Sequence, residues 1–296
     1  MKIIITYIFI LFSTTIFSQI SAVVVDSTNN KGIAYINIWI ENDHIGATSN
    51  KKGEFTITPK KTSKIIVFSG IGYETKKIKV ENLTTKIKLN PIITELAEVE
   101  LYAKKETKEL HIDTFNKSKY HSYYSTYGIA TKYFMYQKKY NETPILKTFR
   151  ILTKSKVKDA TFNIRLYTKG NNGNPDKYLH DKNILVTAKK GKNYTDVDVS
   201  KLNIKFPKEG FFIAIEWLII DSNKNEYTYT MSGSKKKYKG INYNPSIGML
   251  PSNALNFNIL SKGEWHEFNR KNDESFPFKK YRNKYNQLAI ELVLTN

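Results

Sequence analysis

The sequence of 296 residues contains no cysteine. That excludes disulfides, thiolate nucleophiles, cysteine-ligated zinc and a lipid-bearing amino-terminal cysteine together. Arginine is nearly as scarce, with only Arg150, Arg165, Arg270 and Arg282. The histidines, His44, His111, His121, His180 and His266, are far apart. None of them opens an H-x-x-E or H-E-x-x-H pattern, so the converging ligands of a zinc hydrolase are missing. Long apolar runs are missing too. The one near the amino terminus, Ile3 to Phe12, is about half of the roughly 20 residues that a spanning helix needs.

That short run has a different meaning. Lys2 supplies a charge, Ile3 to Phe12 an apolar stretch, and Ser13 to Thr15 end it before Ile16-Phe17-Ser18-Gln19. A charge, a short apolar segment and a small residue at the cut form the pattern of a secretory signal. Cleavage after Ser18 is expected, leaving a mature chain with no transmembrane span. The formal charge is +20, almost all of it lysine scattered along the chain. Arginine carries most bidentate recognition of bases and phosphates, so specific nucleic-acid binding is not expected. A solvated basic surface, or contact with an anionic polymer such as a surface glycan or lipid head groups, accounts for the charge. Tyr and Phe, at 20 and 16, favour strands.

The chain then reads as short strands and turns. Ile20 to Val25 is an apolar run, and Ala34, Ile36, Ile38 and Ile40 alternate with Tyr35, Asn37 and Trp39. This period of two predicts a strand with Trp39 on the face away from the core. Asn50-Lys51-Lys52-Gly53 is a hairpin signal before Phe55 and Ile57. Lys64 to Ser69, Tyr73 to Val80, Lys86 to Leu89 and Leu96 to Tyr102 complete a predicted β-sandwich over residues 19–103. Gly32-Ile33-Ala34-Tyr35-Ile36-Asn37-Ile38, Gly46 to Ile57, and Val67 to Tyr73 together resemble the carboxypeptidase-regulatory-like domain. The resemblance implies a prealbumin-like sandwich, common behind the signal peptide of exported Bacteroidetes-type proteins. Ile33 stands where that family usually has Pro. The matched residues are structural, so the resemblance implies no catalytic residue, metal or cofactor.

Residues 104–144 read as a linker and an aromatic-basic segment. Tyr123, Tyr124 and Tyr127 lie among lysines there. They suit either an edge or entry strand of the next domain, with the Tyr rings covering its core, or stacking on a ligand. From residue 145 to 296 β patterning returns, predicting a second sandwich, plausibly a jelly roll. Phe211 to Ile220 reads as a central strand covered on both faces. Asn223 to Asn225 and Ser232 to Lys239 read as loops. Phe162 to Tyr167, Asp196 to Ser200 and Pro207 to Trp217 resemble the carboxy-terminal half of uncharacterised exported proteins of the same bacteria, which implies an architecture without a function.

Candidate ligand contacts are Trp217, Trp265, Tyr123, Tyr124, Tyr127 and Glu216. Glu216 interrupts an apolar strand, so it is either an acid/base or ligand group or is paired with Arg165 or a lysine. Asp196 and Asp198 share one face of a strand and are a weak cation pair. The expectation is an all-β, exported, non-catalytic binding or scaffold protein of the periplasm or outer envelope. Its partner would be another envelope protein or a surface glycan. A carbohydrate-binding module, and a hydrolase with an unrecognised carboxylate pair, are the other readings.

Overall fold

The computed structural model describes residues 19–61, 64–92, 106–116, 122–125 and 128–296. The expected export segment, the strand predicted over Leu96 to Tyr102, and Tyr127 lie outside them. The described residues form strands and short 3-10 turns, in two sandwiches. None of their helices is long and apolar enough to cross a membrane.

The first sandwich holds β1 (Ile20–Asp26), β2 (Asn37–Ile40), β3 (Gly46–Thr48), β4 (Glu54–Ile57), β5 (Ile65–Ser69), β6 (Lys76–Lys79) and β7 (Lys86–Leu89). One sheet runs β4-β1-β7 and the other β3-β2-β5-β6. Val24, Ile38, Ile40, Phe55, Ile66, Phe68, Ile87 and Leu89 fill the space between them. Phe55, Ile87 and Leu89 alternate with polar residues in sequence, because successive strand side chains point to opposite faces. The predicted hairpin at Asn50 to Gly53 is a turn of a different kind. Gly53 adopts φ +85° and its N–H bonds Asn50 O at 2.9 Å. The strands it joins do not pair with each other: β3 pairs with β2, and β4 with β1. The turn therefore carries the chain from one sheet to the other. A Cβ at Gly53 would lie 2.4 Å from Val24 O, so glycine is required there.

The second sandwich begins earlier than the sequence suggests. β8 (Glu109–Ile112), β9 (Ser122–Tyr124) and β10 (Ile129–Phe134) all belong to it. β8 pairs with β23 (Ile290–Thr295), about 180 residues away, so the segment read as a linker is the edge of a sheet. The other strands are β11 (Ile145–Ser155), β12 (Ala160–Lys169), β13 (Pro175–Tyr178), β14 (Ile184–Ala188), β15 (Gly191–Asp198) and β16 (Phe211–Trp217). They are followed by β17 (Lys224–Thr230), β18 (Lys237–Tyr243), β19 (Ser246–Ser252), β20 (Phe257–Ser261), β21 (Glu264–Glu267) and β22 (Tyr285–Leu288). One sheet runs β13-β12-β16-β10-β20-β21, with β14 also on β12. The facing sheet runs β22-β19-β11-β23-β8, with β15 on β11 and β9 on β19.

Strand β16 is the central strand that its apolar run predicts. Every residue in it is buried, and it lies between β12 and β10. Phe211, Ile213, Ile215 and Trp217 face the main core. Phe212 and Ala214 face outward, into a smaller cluster with Ile129 and Tyr167. Strands β17 and β18 form a separate hairpin that overlaps the loops predicted at Asn223 to Asn225 and Ser232 to Lys239. Their Lys, Thr and Asn content hides the pairing from a hydrophobicity reading. A charge lies between the two sheets: Lys132 is fully buried, 2.8 Å from Asp113 and 2.7 Å from Ile290 O. Burial lowers its pKa, and the Asp113 carboxylate opposes that shift.

Candidate interdomain ligand cleft

The outer faces of two sheets meet between the sandwiches. Thr48 Oγ1 accepts the Ile219 N–H at 2.9 Å, and the Thr48 N–H reaches Ile219 O at 3.3 Å. Beside this join lies a cleft of about 500 Å³. Asn37 and Trp39 on β2, Val67 and Ser69 on β5, and Lys77 on β6 line one wall. Arg165 and Tyr167 on β12, Asp176 and Tyr178 on β13, and Lys262, Glu264 and Trp265 at the β20–β21 turn line the other. A smaller hollow of about 220 Å³ adjoins it and shares Trp39.

Strand alternation explains why these side chains are there. Phe162, Ile164 and Leu166 enter the main core, so Asn163, Arg165 and Tyr167 must point out of the same strand. In the same way Ile38 and Ile40 enter the first core, which turns Trp39 outward onto the second sandwich. Tyr167 stacks edge-on against Trp265 at 5.6 Å and lies 4.9 Å from Tyr178, giving an aromatic wall. The Trp39 indole N–H is buried and has no hydrogen-bond partner among the described residues.

Behind that wall is a buried ion pair. Arg165 donates from Nε to Glu216 Oε2 at 2.8 Å and from Nη2 to Oε1 at 2.6 Å. Its third contact is Nη1 to the Tyr178 hydroxyl at 2.6 Å. Asn163 Nδ2 donates to the same Glu216 oxygen at 2.8 Å. Burial works against the guanidinium charge, but the Glu216 carboxylate together with Tyr167 and Tyr178 outweighs it, and the Arg165 pKa is raised. Tyr167 is held neutral far up the pH scale by burial, with Arg165 opposing. Glu216 is therefore a paired structural carboxylate that fixes the floor of the cleft, and its oxygens are already engaged.

The other sequence candidates separate. Trp265 lines the cleft. Trp217 does not: it is 1% exposed, and its indole N–H donates to Pro245 O at 2.6 Å, so its faces belong to the core. Tyr124 also packs inward, edge-on to Trp217 and Phe257. Tyr123 points out of the opposite sheet, with the Lys154 and Lys192 ammonium groups 5.1 and 5.7 Å from its ring. Burial pushes its pKa to about 12. Tyr123 and Tyr124 thus reach no common site. Asp196 is clamped by Arg150 through two bonds of 2.8 and 3.0 Å, and Asp198 accepts the Ser200 N–H. No cluster of three metal-ligating side chains occurs among the described residues.

Sequence reasoning missed Trp39, Tyr167 and Tyr178 as cleft residues. Only the outward phase of Trp39 hinted at its place. Glu41 is held by Lys77 at 2.6 Å. Counting the charged residues that line the cleft, Lys77, Arg165 and Lys262 balance Glu41, Asp176 and Glu264.

Residues 20–101 match the family model of the CarboxypepD_reg-like domain. A comparison with curated proteins finds no match. Among solved structures, one of the infectious bursal disease virus Gx strain is similar at 11% identity and a TM-score of 0.23. It pairs 93% of this chain with 60% of that one. A T=1 particle derived from infectious bursal virus aligns at 9% identity and a TM-score of 0.24, over 94% of this chain and 58% of that one. The chain thus spans about 60% of these structures' length, at a likeness too low to bear on fold or function.

Proposed function

We propose that this protein, whose first sandwich is a CarboxypepD_reg-like domain, is an exported, non-catalytic binding protein that holds a carbohydrate in the cleft between its sandwiches. The observation that carries this reading is the charge balance of an aromatic-walled cleft on a protein of net charge +20. A site for an anion would keep unpaired cations. Here Arg165 and Lys77 are each tied to a carboxylate. What remains is one lysine, Lys262, outnumbered by Asp176 and Glu264, and the aromatic groups Trp39, Trp265 and Tyr178 beside Asn37, Ser69 and Thr75. Flat aromatic faces suit the C–H face of a sugar ring, and the short polar side chains suit its hydroxyls. The volume falls within the usual range of small-ligand pockets. The amino-terminal signal pattern supports export to the periplasm or outer envelope, where glycans are available.

Two of the three tryptophans line the cleft and the third is in the core. Intrinsic fluorescence is thus a direct readout. Screening against a glycan array and polysaccharide columns should find a ligand that shifts tryptophan emission. Trp39→Ala and Trp265→Ala should each weaken binding about tenfold, on the order of one aromatic contact. Lack of retention on any glycan, or full binding by both variants, would overturn the proposal.

A further inference from the structure

The hairpin β17–β18 is an outrigger. Its strands pair only with each other, and none of its residues enters any of the three cores. Its base is fixed: buried Asn223 donates to Thr161 O and Leu218 O and accepts the Thr161 N–H, while the Asn244 N–H bonds Asn223 O. Seven paired residues per strand give a reach of about 20 Å. Such a polar arm, outside every core, does not stabilise the fold by burial.

Its side chains are sorted. Tyr227, Tyr229 and Tyr238 share one face, with Tyr229 and Tyr238 stacked at 5.7 Å. The Tyr227 ring lies over Gly240, where a Cβ would approach it to 2.6 Å, so the missing side chain makes room for the ring. Lys237 and Lys239 occupy the opposite face. At the tip Gly233, at φ +79°, turns the chain between exposed Met231 and Lys235-Lys236. Lys235, Lys236 and Lys237 make no ion pair among the described residues, whereas Lys224, near the base, is neutralised by Glu226 at 2.8 Å. Positive charge is therefore concentrated at the far end.

We propose that this hairpin docks tip-first on an anionic lipid surface. The geometry favours a surface over an extended anionic chain. A chain lying along the tyrosine face would leave Lys237 and Lys239 on the far side. A surface met end-on engages the lysines of both faces at once. It also receives Met231 and the tyrosines at the depth where amphipathic aromatic rings are favoured. This docking is independent of the ligand in the cleft.

The test is sedimentation of the full mature chain with vesicles of phosphatidylcholine alone or mixed with phosphatidylglycerol. Binding should require the anionic lipid and fall with salt. Each lysine near such a surface contributes about fivefold to partitioning. K235E/K236E/K237E should thus weaken binding roughly 100-fold or more. K51E/K52E/K158E, the same charge change elsewhere, should leave most of it. Both variants should keep the parent circular-dichroism spectrum. Equal losses in the two variants, or no binding to anionic vesicles at low salt, would overturn the proposal. So would a tip variant that still binds vesicles but is no longer retained on an anionic polysaccharide column.

Discussion

The two sandwiches treat charge differently. The first buries apolar side chains between its sheets, and its few buried polar groups, Asp26, Thr48 and Ser49, sit in turns or at the join. Ser49, for example, donates to Ile33 O and accepts the Ile36 N–H, tying down the approach to β2. The second sandwich buries Lys132, Arg165, Glu216 and Glu291 outright. A buried ion pair is poor evidence of stability, because desolvation offsets much of its attraction. The Arg165–Glu216 pair instead holds Tyr178 in place through a hydrogen bond and so sets the cleft wall. The first sandwich thus has an apolar interior, while the second also maintains polar side chains at the cleft that the first lines from the other side.

The largest expected effect lies in that pair. Arg165→Met leaves Glu216 buried without its partner and should destabilise the second sandwich by about 3–5 kcal/mol in urea unfolding. The double variant R165M/E216L should recover most of the loss. If it does not, the pair stabilises the fold beyond its mutual compensation and the contrast between the sandwiches is wrong. Next in size is Ile38→Ala, which opens a cavity in the apolar core of the first sandwich and should cost about 2–5 kcal/mol, typically near 3. Its unfolding transition alone should move. A matching shift in the second sandwich would show that the pair of bonds between Thr48 and Ile219 makes them one cooperative unit.

The smallest effect concerns acid. Asp26 accepts bonds from the Thr28 hydroxyl and N–H at 2.6 and 2.8 Å and from the Tyr73 hydroxyl at 3.0 Å. The Thr28 hydroxyl, then its N–H, hold the Asp26 carboxyl below the usual carboxylate range. A carboxyl with a lowered folded pKa contributes stability at neutral pH. That stability disappears as pH falls through the folded value, below about pH 4. Asp26→Asn should flatten that acid limb in thermal melts of the first sandwich and leave the second unchanged. An unchanged slope would mean that Asp26 is not among the groups responsible.

Much of the fold is legible in the residues. Alternation at Ile36, Ile38 and Ile40 and the continuous run through β16 placed core strands correctly, because a side chain's phase on a strand is a local property. The hairpin at 224–243 is not legible, since it is stabilised by pairing between polar strands and not by burial. Nor is the membership of β8, whose partner is β23 at the other end of the chain.

The site divides in the same way. The sequence by itself determines that Trp39 points away from its own core, and that Glu216 needs a partner. Only the tertiary structure decides that Trp39 opposes Arg165 and Tyr167 across one cleft and that Trp217 is inaccessible. Which residues share a strand face depends on neighbours one or two positions away. Which faces meet depends on packing between residues more than 100 positions apart, and no local pattern encodes it.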